Sequence, residues 1–121
     1  MNNIKNIKTE WMCSAKLEME DSNPIWQVEK SKAEKLLGLW DSLKTIVEAP
    51  KNKSAYLGYK GTSLRADENI EWYSFGNTVT LKNNNQIETR FDRNRKFEKE
   101  LLKSAPTGKI PDALFALEFG F

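Results

Sequence analysis

Residues 70–81 read Ile-Glu-Trp-Tyr-Ser-Phe-Gly-Asn-Thr-Val-Thr-Leu, two runs of strand-forming residues hinged on Gly76 and Asn77. A Gly-Asn pair between such runs is a two-residue hairpin signal, because both residue types tolerate the backbone angles that a tight reversal demands. The pattern continues on either side. Tyr56, Leu57, Tyr59 and Leu64 precede the hairpin, and Asn83 to Asn85 mark a further turn before Gln86 to Phe91. The spacing predicts an antiparallel meander of three or four strands. Trp72 and Tyr73, adjacent in one strand, must point to opposite faces of it.

Toward the N-terminus, Trp11, Cys13, Ala15, Leu17 and Met19 alternate with Ser14, Lys16, Glu18 and Glu20, with Met12 the one exception. Period two is the mark of a half-buried strand. Residues 20–24 read as a reversal, and Ile25 to Lys30 return as a second strand carrying Trp26 and Val28 on one side. Ser31 and Glu34 then have capping-box spacing, just ahead of Ala33, Leu36, Leu37, Trp40, Leu43 and Val47 at helical intervals. This predicts a helix ending near Glu48, because Pro50 removes an amide donor and disfavours helix at Ala49. An alternative starts that helix at Asn23 and Pro24, as cap and first-turn proline. Residues 51–55 are a polar link.

Beyond the meander, Asp92 or Asn94 can cap a second helix lined by Phe97, Leu101 and Ala105 and stopped by Pro106 and Gly108. On its outer side Lys96 and Glu100 are spaced as an i,i+4 pair. Residues 110–121 are apolar enough to need anchoring, as a short helix or an edge strand. No repeat or long linker divides the chain. We therefore expect one α+β domain over residues 1–121, with a mostly antiparallel sheet of about five strands and two main helices packed on one face.

Function is first bounded by what the 121 residues lack: there is no histidine, and Cys13 is the single cysteine. The side chains that do most acid-base, nucleophilic and zinc-binding work are thus nearly missing, and no imidazole exists to activate the thiol. Cys13 itself falls on the apolar face of the first strand, where a thiol behaves as a small hydrophobe. Acidic clusters at Glu18, Glu20 and Asp21 and at Asp67, Glu68 and Glu71 offer oxygen ligands but not calcium-loop spacing. Gly58 to Thr62 only superficially resembles a phosphate loop. We expect no catalytic residues, no metal and no cofactor. Among 17 acids, a carboxylate pair for acid-base chemistry is available but nothing singles one out.

Four Trp, three Tyr and six Phe remain, which favours recognition by surface. Rings and cations interleave between Leu57 and Phe97, and on a sheet such a set can grip either a protein or single-stranded nucleic acid. The expected partner-binding residues are Tyr59, Lys60, Arg65, Trp72, Tyr73 and Arg90. Protein docking is the primary reading. Nucleic acid comes second, since 15 Lys against 4 Arg is a poor set for bidentate phosphate contacts and the net charge is only +2. A small carboxylate-dependent enzyme comes third.

The longest apolar run, Ala113 to Leu117, is far short of a membrane span, and no signal-like apolar core follows the basic start, so we expect a cytoplasmic protein and no membrane partner. In size, single-domain build and lack of catalytic equipment, the chain is similar in general character to bacterial immunity proteins, which neutralise toxins by binding them. That likeness implies an inhibitor of another protein. It rests on no motif and assigns no residue.

Overall fold

A computed structural model describes residues 11–18, 23–47 and 55–120. The turn expected at 20–24 and the helix end expected at Glu48 lie partly or wholly outside them. Among the described residues the fold is α+β, with seven strands in one antiparallel sheet and three helices, so the sheet is wider than about five strands and the helices exceed two.

Strand β1, Trp11–Leu17, pairs with β2, Ile25–Val28, as the opening hairpin. Trp11, Cys13, Ala15 and Leu17 are buried, as the alternation predicts. Helix α1, Lys30–Ser42, leaves from β2 and buries Ala33, Leu36, Leu37 and Trp40. Its N-cap is Glu29, without a side-chain cap bond, so the capping box expected at Ser31 is not made and the alternative start at Asn23 is excluded by β2. The helix also stops early. Leu43 turns out of it with its amide bonded to the Trp40 carbonyl, and Lys44–Thr45 becomes β3 at the far edge of the sheet. Leu43 and Val47 keep the helical spacing by coincidence, and Val47 is fully exposed.

The chain then supplies the meander: β4, Tyr59–Asp67; β5, Ile70–Phe75; β6, Thr78–Asn83; and β7, Gln86–Phe91. Gly76 and Asn84 take positive φ in the turns where the sequence demands it. Lateral order is β2-β1-β4-β5-β6-β7-β3, so α1 begins beside one edge strand and ends at the other.

After a 3-10 turn at Arg93–Arg95 comes α2, Lys96–Lys103, and after a loop α3, Asp112–Phe119, which resolves the C-terminal segment as helix. The expected Lys96–Glu100 pair is not formed. Glu100 instead meets Lys32 of α1 at 3.6 Å and Lys103 at 3.9 Å, since helix packing places α1 within its reach. One continuous core lies between helices and sheet, including Trp11 and Trp72 with ring centroids 6.3 Å apart. Trp26 closes it, donating from Nε1 to Ser104 Oγ at 2.9 Å.

Candidate functional site: the open face of the sheet

The strand register sorts every side chain of the central sheet onto one of two faces. On the helix-covered face Cys13, Leu64, Trp72 and Leu81 stand in one row, and Ala15, Thr62, Ser74, Val79 and Arg90 in another. The opposite face carries two rows across six strands. One runs Gln27, Met12, Arg65, Glu71, Lys82, Ile87, and the other Ile25, Ser14, Ser63, Tyr73, Thr80, Thr89. No described helix covers them.

Of the six expected binding residues, three belong here. Tyr73 stands near the middle, half-buried, and its hydroxyl donates to the Lys60 carbonyl. Burial pushes the Tyr73 phenol above its ordinary pKa, so it stays a neutral hydroxyl. Arg65 is exposed and pairs with Glu71 across the strands at 3.2 Å. Lys60 is exposed at the bulge where β4 slips against β1.

Gly61 is why the Tyr73 ring can lie there. Its φ of +112° suits the bulge, and a Cβ at that position would stand 2.7 Å from Tyr73 Oη and 2.8 Å from the Ser74 carbonyl. Only glycine permits that approach.

The other three are corrected. Trp72 is 1% exposed on the core face, as alternation requires once Tyr73 faces outward. Tyr59 is 0% exposed and donates its hydroxyl to Glu98 of α2. Arg90 lies on the helix-covered side, its guanidinium 4.1 Å from the Trp40 ring centroid and bonded to the Trp40 carbonyl at 2.8 Å. It is a strap between sheet and α1.

Hydroxyls dominate the middle of the open face. Ser14 Oγ meets Ser63 Oγ at 2.9 Å, and Thr80 Oγ1 meets Thr89 Oγ1 at 3.0 Å. Between β1, β4 and β5 the serine pair borders a recess of about 240 Å³, lined also by Lys16, Glu71 and Tyr73 with Asn23 at its rim. Exposed Ile25 and Ile87 mark the lateral ends.

The groups that could do chemistry elsewhere are engaged internally. Burial pushes the Cys13 thiol up to about 12, which leaves it protonated and inert near neutral pH. Asp92 is buried, and its carboxylate accepts from the amides of Phe97 at 2.9 Å and Glu98 at 3.1 Å, fastening the start of α2. Arg95 grips Glu98 through two bonds of 2.9 and 3.0 Å and reaches Glu118 of α3 at 2.8 Å. Glu118 also accepts from the Tyr56 amide at 2.6 Å. Burial works against the Arg95 charge, yet the two glutamates hold its pKa above the ordinary arginine value. Sequence reading missed this cluster: Arg95 and Glu98 are only three residues apart, but Tyr59 and Glu118, which complete it, lie 39 and 23 residues from their partners, and no local spacing announces them. Asp67 bonds the Asn69 amide, Glu71 is held by Arg65, and no group of metal-ligating side chains occurs among the described residues.

Compared with known protein families, curated proteins and solved structures, this chain matches none.

Proposed function

We propose that this protein is a non-catalytic docking module that binds another protein through the open face of its sheet. The observation that carries the reading is the pair of rows across six strands, centred on Tyr73 and left uncovered by the described helices. Tyrosine and arginine bury large areas with little loss of rotamer freedom, and here Tyr73 is already held in place by Lys60 and Gly61. The lateral isoleucines add apolar area to a polar centre, an arrangement suited to a soluble surface that is intermittently covered.

In its finer form, the reading is that of an inhibitor or antidote acting in the bacterial cytoplasm, in the manner of the immunity proteins. The internal engagement of Cys13, Asp92, Glu98 and Glu118 supports binding over carboxylate-dependent turnover. Single-stranded nucleic acid is the weaker alternative, because Tyr59, Trp72 and Phe97 are buried and few rings remain for stacking bases.

The test compares partner capture by the wild-type chain with capture by Arg65→Ala and Tyr73→Ala, with Lys35→Ala on α1 as control. A partner held by the face loses about 1–4 kcal/mol of affinity with either face variant and none with the control. Equal binding by all four proteins removes the reading, and so does turnover of a substrate by the pure protein. For the inhibitor form, the captured partner's own activity must fall when wild-type protein is added.

A further inference from the structure

We infer that the partner presents an acidic surface, with a carboxylate seated in the Ser14–Ser63–Tyr73 recess beside Lys16. This deepens the docking reading and rests on it. Whole-chain charge gives no hint of it, since the net value is only +2. The register segregates the charges. The open face carries Lys16, Arg65 and Lys82, with Lys60 at the bulge, against one acid, Glu71. Arg65 already neutralises Glu71 at 3.2 Å. Among the described residues, Lys16, Lys60 and Lys82 have no acidic partner within ion-pair distance.

The recess offers the complementary chemistry. A carboxylate has acceptor sites only, and the recess supplies the one proton that the Ser14–Ser63 hydroxyl pair has left to turn outward, together with the Lys16 ammonium, while Glu71, which also lines it, is held by Arg65. Its size of about 240 Å³ admits one Asp or Glu side chain with its solvent. Two features favour a protein carboxylate over a nucleic-acid phosphate. Arg65, the sole arginine in these rows, is occupied by Glu71, so no free fork remains for a phosphate, and Tyr73 is the single ring that lines the recess.

The experiment is a ¹⁵N NMR titration of the full chain at low salt with a hexaglutamate peptide, a hexalysine peptide and an oligo(dT) strand. Hexaglutamate is expected to shift the amides of Lys16, Ser63, Arg65, Tyr73 and Lys82, with hexalysine silent. The double variant Lys16→Glu with Lys82→Glu should weaken hexaglutamate binding by about tenfold or more, since like charges then oppose it. Both positions are exposed, and the milder pair Lys16→Gln with Lys82→Gln serves if the first fails to fold. No shift with hexaglutamate, shifts spread equally over the lysines of α1 and α2, or tighter binding of oligo(dT) to the same face overturns the inference. A protein partner lost on Tyr73→Ala but indifferent to both lysine pairs and to salt would remove the acidic partner and leave the docking face standing.

Discussion

Glu98 is a residue on which several interior polar contacts converge: the Tyr59 hydroxyl and the Arg95 fork meet its carboxylate, and its amide donates to the Asp92 carboxylate ahead of α2. It is fully buried, so removing it leaves a charged guanidinium with only Glu118 and the Phe119 ring as partners. Glu98→Ala should therefore cost about 3 kcal/mol or more in a denaturant titration, and a loss under about 1 kcal/mol would contradict the network's role. The pH dependence follows from the same burial. Desolvation raises the pKa of both Asp92 and Glu98 above the ordinary values of 3.8 and 4.5, more than their hydrogen bonds lower it. The folded chain thus holds protons that the unfolded chain releases. The stabilising contribution is complete below the unfolded pKa values and declines as pH rises from there through the raised ones. Glu98→Gln, fixed in the neutral form, should show a flatter fall in unfolding free energy between pH 4 and 8 than the wild type. A steeper one would show that the carboxylate is held ionised instead.

At the scale of elements, the bulge in β4 couples the fold to the proposed surface. Gly61→Ala places a methyl against the Tyr73 hydroxyl and the Ser74 backbone, and only the ring has room to yield. The variant is expected to lose stability by about 1–3 kcal/mol and to show displaced Tyr73 ring signals in NMR, while the α2 amides keep their shifts. Unchanged Tyr73 signals would refute the coupling. The same element shows what sequence reading can reach. Alternation in Trp11 to Leu17 placed Cys13 in the core, and adjacency alone put Trp72 and Tyr73 on opposite faces, but which of the two turned outward depended on register against β4 and β6. Strand β3 left no trace, since two residues carry no period. Leu43 and Val47 imitated a longer helix, although the chain at that point pairs with β7. Arg90 was misassigned for a similar reason: alternation within β7 is weak, and its contact with Trp40 spans 50 residues.

For the molecule as a whole, the decisive feature is the lateral order, in which the first hairpin and α1 are completed by strands made much later. β1 pairs on its inner side with β4, and β3 finds its neighbour only in β7. Pairings so distant in sequence close slowly, because the loop entropy comes before the contacts. During synthesis, the N-terminal third leaves the ribosome with Trp11, Trp26 and Trp40 unsheltered until Phe91 has also emerged. A stalled nascent chain ending with about 30 residues of tunnel-held linker after Ser54 should be cut rapidly by protease and retained by ribosome-associated chaperones, whereas one stalled equally far beyond Phe119 should resist. Vectorial translation and the lateral order of this sheet therefore run against each other, and the delay between them is a window in which the newborn chain depends on its host.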